Sequence, residues 1–230
     1  MEDSRLSISF ATESIQFTLH HAVKSNLLDE LDIQNGILQL IRAIQFIHTA
    51  NIIHTNINLN SIYINRNGDW KISGLGFSQS CVGQTTSVSL EFLKHYPPFC
   101  SPILDFISPE YVFEEYICFS SDVYSLGLLI SALYNSGASP LNCNENLHLY
   151  KQLASSRLDF GKVPNGLYQL VERMVQRDPK YRIGLNELSE SSYFNNILVG
   201  TIKFLDSFVE KTQIEKVFLF NQGSVFKRAR

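Results

Sequence analysis

The chain carries no C-x-x-C pair, and none of its many asparagines sits in an N-x-S/T glycosylation acceptor. Its four cysteines, Cys81, Cys100, Cys118 and Cys143, are far apart. Both absences argue against a disulfide-stapled secreted domain and suit a reducing compartment. No leader is expected either. The first residues, MEDSRLSISF, are acidic and polar where a signal peptide needs basic and then apolar residues. No apolar run approaches the ~18 residues of a membrane span. Charge of one sign is also scarce. With 19 basic and 22 acidic residues the net charge is -3, so no global field would recruit nucleic acid or an anionic membrane. The expectation is a soluble, cytoplasmic protein whose partners are other proteins. Among 230 residues, 44% are hydrophobic, enough for one substantial core.

Helical spacing is clearest in DIQNGILQLIRAIQFIHTAN, where Ile33, Ile37, Leu40, Ile41, Ile44 and Ile47 recur at three and four behind Asp32, a residue suited to capping. SIYIN and WKIS are short β-branched and aromatic runs flanking RNGD, whose Asn67-Gly68 suits a hairpin turn. Residues 78–102 are rich in Ser, Thr and Pro without a period, and read as a long surface loop. SSDVYSLGLLISALY places Val123, Leu126, Leu129, Ile130 and Leu133 on a wide apolar face, which predicts a central, heavily buried helix. Two further helices are predicted around Leu167 to Gln176 and Asn186 to Tyr193, with Pro179 ending the first. A last pattern, TIKFLDSFVEKTQIEKVFLF, starts afresh after Gly200. Internal repeats and low-complexity runs are absent.

The order helix, IIHTN, hairpin, GLG, long loop, SPE, SSDVYSLG, RDPKYRIG resembles the C-terminal lobe of the protein-kinase fold, over residues 6–195. In that family the catalytic loop H-R-D-L-x-x-x-N supplies a base Asp and a metal-binding Asn, and D-F-G supplies a magnesium ligand. Aligned on His54, this chain has Thr55 for the Arg, Asn56 for the base, Asn58 for the loop Lys and Ser61 for the metal-binding Asn. D-F-G has become Gly74-Leu75-Gly76. An amide cannot accept a proton near neutral pH, and that role is worth about 10²- to 10⁴-fold. The metal positions matter more, because phosphoryl transfer rests on positioning and on charge neutralisation by the cation. Gly74 offers no side-chain oxygen, and Ser61 only a neutral one. Positions of the frame are retained: His54, Asp122, and the pair Glu110 and Arg182, which the resemblance marks as structural.

The upstream half of such a fold is not seen, for neither G-x-G-x-x-G nor a V-A-I-K-like strand occurs. The expected fold class is therefore mainly α, or α+β by family. It comprises a hinge-strand remnant at 1–14, a kinase-like C-terminal lobe at 15–196 with a small hairpin, and a helical bridge at 197–230. HTNINLNSIYINRNGDWKISGLGF and FISPEYVFEEYICFSSDVYSLG further resemble the Scy-like pseudokinases, nearest their coated-vesicle branch. YFNNILVGTIKFLDSFVEKTQIEKVFLF resembles that family's bridge into a HEAT-like helical-repeat domain. The resemblance implies an inactive scaffold in vesicle traffic, with clathrin coat or adaptor components as partners. It implies location on coated vesicles, Golgi or endosomes, and no bound ATP or magnesium. A divergent active kinase or a nucleotide-binding pseudokinase would need an upstream lobe; a nonfunctional fragment is the remaining alternative.

Plainer roles are expected for the other conspicuous residues. His20-His21 should lie on a helix with one ring facing inward, and the cysteines should be ordinary thiols. The hydroxyls between Ser78 and Ser89 occupy the place of activating phosphates in kinases. Thr55 stands where the phosphate-receiving arginine would be, so a plain loop is expected. Leu205, Phe204 and Phe208 would either dock absent repeats or pack back on the lobe, and FKRAR reads as a solvated tail.

Overall fold

Strand β1 (Ile15–Thr18) leads directly into helix α1 (Leu19–Lys24), whose first turn is capped by the Thr18 hydroxyl accepting from the His21 amide. The computed structural model describes residues 12–81, 86–90 and 101–194. The chain divides into two compact units, Met1–Ser189 and Glu190–Arg230; of the second, residues 190–194 are described, as turns. The hinge strand expected at 1–14 lies mostly outside the described residues, as do the bridge at 197–230 and Cys100.

Leu19 and Ala22 are the buried positions of α1, three apart. That spacing leaves His20 and His21 both exposed, against the expectation of one inward ring, and His21 stacks on Phe17 instead.

Helix α2 (Glu30–Thr49) carries the expected stripe, with Ile33, Ile37, Leu40, Ile41 and Ile44 all buried. Its cap lies one turn earlier than Asp32. Asp29 accepts from the Asp32 amide and the Asp32 carboxylate answers on the Asp29 amide, a reciprocal box. After β2 (Ile52–Ile53) come β3 (Ile62–Asn65) and β4 (Trp70–Ile72), antiparallel in the expected hairpin. Asn65 organises its turn: the side-chain oxygen accepts from the amides of Asn67 and Asp69, both at 2.9 Å. The hairpin is wider than its sequence announced, because β1 pairs with β3 and completes a three-stranded sheet ordered β1-β3-β4. Helix α2 packs on that sheet through Gly36. A Cβ there would lie 2.2 Å from the Trp70 ring, so only glycine admits the indole.

The segment read as one long loop contains two short strands. β5 (Gln79–Ser80) pairs with β2, and β6 (Ser87–Ser89) pairs with β7 (Tyr116–Cys118). Between them, α3 (Pro109–Phe113) begins at a proline, whose missing N–H loses nothing in a first turn. Helix α4 (Phe119–Tyr134) is buried without interruption from Ser121 to Leu133, as a helix hydrophobic all round should be. Helices α5 (Leu147–Leu153), α6 (Asn165–Met174) and α7 (Leu185–Ser189) complete the order. The architecture is α+β, seven helices and three small sheets among the described residues. No described helix is long and apolar enough to cross a membrane.

Candidate functional site

The loop after β2 is suspended from one carboxylate. Asp122, fully buried in the first turn of α4, accepts from the His54 amide at 2.8 Å and the Thr55 amide at 2.9 Å. The His48 ring, arriving from the end of α2, contacts the same carboxylate at 2.8 Å. His54 is itself buried, with Nε2 donating to the Ser73 carbonyl and Nδ1 accepting from the Asn56 amide. That pairing fixes a neutral imidazole. Burial pulls the ring's pKa below its ordinary value, against the opposing pull of Asp122. Thr55 takes a left-handed backbone at φ 63°, an uncommon state for a β-branched residue, costing on the order of 1–3 kcal/mol. Asp122 holds its amide, and its hydroxyl donates to the Phe77 carbonyl at 2.6 Å.

Asn56, Asn58, Ser61 and Gly74 meet in one cleft of about 320 Å³. The Asn58 side-chain nitrogen donates to the Asn56 carbonyl and to Asn56 Oδ1, while its oxygen accepts from the amides of Asn60 and Ser61. Ser61 Oγ donates to the Asn58 carbonyl and accepts from the Asn58 amide. Asn56 Nδ2 reaches the Gly74 carbonyl at 3.3 Å. Every one of these side chains is therefore already committed to a neighbour.

Among the described residues, none lining this cleft is Asp, Glu, Lys, Arg or His. Magnesium demands an octahedron of oxygens built around carboxylates, phosphates and water. Here the side-chain oxygens of Asn56, Asn58 and Ser61 are neutral and hydrogen-bonded to protein. The described residues do not fit a magnesium nucleotide of the kind the resemblance would place here. Among the described residues, no three His, Cys, Asp or Glu side chains converge.

The frame is built of opposite materials. Arg182 makes two 2.7 Å bonds to the carboxylate of Glu110 and donates further to the carbonyls of Ser120, Gln176 and Arg177. Ser121 adds a hydroxyl to Glu110 at 2.6 Å, and the guanidinium lies 4.8 Å from the Tyr124 ring centre. Burial acts most strongly on Glu110 and would raise its pKa. The Arg182 bonds and charge, with Ser121, outweigh it and hold the carboxyl below its ordinary value. His48, Ser73 and Ser121 belong to this machinery although sequence reasoning did not single them out. Their partners are far off in the chain, so no local pattern betrays them.

Residues 2–194 match the family described as Protein kinase domain, and the chain belongs to that family. Its relatives within it include SCY1-like proteins. It is 32% identical to "Protein kinase-like protein SCY1" of Saccharomyces cerevisiae, over 98% of this chain and 31% of that protein. To "Protein kinase domain-containing protein ppk32" of Schizosaccharomyces pombe it is 34% identical, over 94% of this chain and 32% of the relative. "Probable inactive serine/threonine-protein kinase scy1" of Dictyostelium discoideum is 26% identical, over 96% and 25%. The chain thus spans between a quarter and a third of the length of these curated relatives.

Proposed function

We propose that this chain is the C-terminal lobe of an inactive kinase-like domain, a pseudokinase that serves as a protein-binding scaffold in intracellular vesicle traffic. The observation that carries the first half is the cleft: its described lining is uncharged, and the side chains of Asn56, Asn58 and Ser61 are taken up by neighbouring protein groups. The printed name of the Dictyostelium relative, a probable inactive kinase, supports the same reading. The scaffold role, clathrin coat or adaptor partners, a cytoplasmic site on coated vesicles, Golgi or endosomes, and a bridge at 197–230 toward a helical-repeat domain rest on the Scy-like resemblance. His54, Asp122, Glu110 and Arg182 then serve as frame, and Asn56, Asn58, Ser61 and Gly74 as vacated catalytic positions.

The test of inactivity is a thermal-unfolding scan of the purified chain with and without ATP and magnesium, run beside a radiolabelled phosphate-transfer assay. A ligand at about 100 times its dissociation constant would add about 2.7 kcal/mol to stability. The expected result is an unmoved midpoint and no transfer; transfer above background would sink the reading. For the scaffold role, the full-length protein carrying this domain is expected to sediment with clathrin-coated vesicles. Its absence from that fraction would remove the trafficking half alone.

A further inference from the structure

Two loops face each other across the cleft, residues 54–61 and 73–77, and side chains tie them together. His54 donates to the Ser73 carbonyl, Thr55 to that of Phe77 and Asn56 to that of Gly74, while Ser73 donates through both amide and hydroxyl to the Ser61 carbonyl. In a working kinase, a cation draws ligands from these same two loops. Here the approach to position 74 is taken by the Asn56 amide. A Cβ placed on Gly74 would lie 2.9 Å from Asn56 Nδ2 and 3.1 Å from the Ser61 Cβ. Gly74 also has φ +80°, where any side chain adds strain. A carboxylate at 74 therefore cannot enter while Asn56 keeps its place, and Asn56 is pinned by Asn58 at 2.8 Å.

We propose that the Asn56 amide is a built-in replacement for the cation. It cross-links the two loops, closes the cleft to divalent metal, and does so jointly with Gly74 and Ser61, so that no single reverse substitution opens a metal site. The inference rests on reading the chain as an inactive kinase-like domain, and adds to it that the loss of the metal site is cooperative.

Manganese, followed by the paramagnetic resonance signal of the free ion, is the probe. Four forms of the chain are titrated: wild type, Gly74→Asp, Asn56→Asp/Ser61→Asn, and the triple variant. The first three are expected to bind no manganese in the cleft, with Gly74→Asp also melting at a lower temperature than wild type. The triple variant is expected to bind at least about tenfold more tightly than any of them, and saturating metal should raise its midpoint by roughly 5–10 °C. Should the triple variant not fold, Asn56→Ala carries the test. It removes the cross-link together with the Asn58 bond to Asn56 Oδ1, and is expected to speed amide exchange at residues 73–77 while leaving α4 as protected as in wild type. Equal binding by Gly74→Asp and the triple variant, a folded triple variant that binds nothing, or an Asn56→Ala chain exchanging like wild type would each overturn the proposal. Manganese in the wild-type cleft without phosphate transfer overturns only this inference, whereas transfer overturns the proposed function beneath it.

Discussion

The Glu110–Arg182 pair and the Asn56–Ser61 cleft belong to the same fold, yet they treat charge in opposite ways. At the first, a carboxylate and a guanidinium are both withdrawn from water, Arg182 with three hydrogen bonds beyond the ion pair and the Glu110 carboxylate with one from Ser121. At the second, the positions where a phosphotransferase carries its base Asp, loop Lys, metal-binding Asn and metal-binding Asp hold two amides, a hydroxyl and a glycine. Buried charge is difficult to keep, and it persists where it spans elements far apart in the chain. Where it would serve a metal it has been replaced by groups that satisfy one another. The difference separates the requirements of shape from those of chemistry.

Arg182→Ala is the strongest way to break the comparison. It leaves the Glu110 carboxylate buried and alone, and is expected to remove about 3–5 kcal/mol in urea unfolding. Replacing both residues together by methionine should recover most of that loss, because no lone charge remains; a double variant as unstable as the single one would show that the surrounding bonds dominate. Asp122→Ala comes next. It strands the amides of His54 and Thr55 and the His48 ring, at a cost of about 3 kcal/mol, with Asp122→Asn intermediate because one acceptor oxygen survives. Amide exchange at residues 54 and 55 should quicken in both variants and more in Asp122→Ala.

Acid sharpens the contrast further. Glu110 has a lowered folded pKa, so its share of stability is complete above the ordinary value of 4.5 and is lost as pH falls through the folded value. His54 is also lowered, so the unfolded chain takes up that proton first. Its share is complete above 6.5 and declines as pH drops below that point. Urea midpoints from neutral to acid pH should fall in two limbs, with His54→Gln flattening the upper and Glu110→Gln the lower. A midpoint that climbs on acidification below 6.5 would contradict a neutral His54. The smallest effect belongs to Asn56→Asp alone. It should alter stability by no more than about 1 kcal/mol and yield no phosphate transfer, since a base without metal ligands has nothing to act on.

Long elements were the legible ones. The stripe of α2 and the continuous apolar face of α4 are set by residues three and four apart, so periodicity exposes them. Helices α3 and α5 are five and seven residues long, too short to show a period, and in the six-residue α1 the helix at His20-His21 was expected but not its buried face. Strands β5 and β6 escaped because a two- or three-residue strand exists only through its partner, which for β6 lies beyond a long intervening segment. In the site, the identities of Asn56, Asn58, Ser61 and Gly74 were readable from motif order. Their mutual saturation was not, nor was the left-handed backbone of Thr55, because both depend on how two loops approach in space.

The ion pair has a consequence for the chain's synthesis. Glu110 and Arg182 are separated by 72 positions, so at about 5–20 residues per second a ribosome needs roughly 4–14 s to deliver the second partner after the first. Throughout that interval the nascent chain owns a carboxylate destined for a dry interior and nothing to neutralise it. Burying Glu110 before the segment carrying Arg182 arrives would cost about 3–5 kcal/mol, which favours late completion of this domain. Any product ending short of that arginine would reach the cell's quality control with its core unclosed.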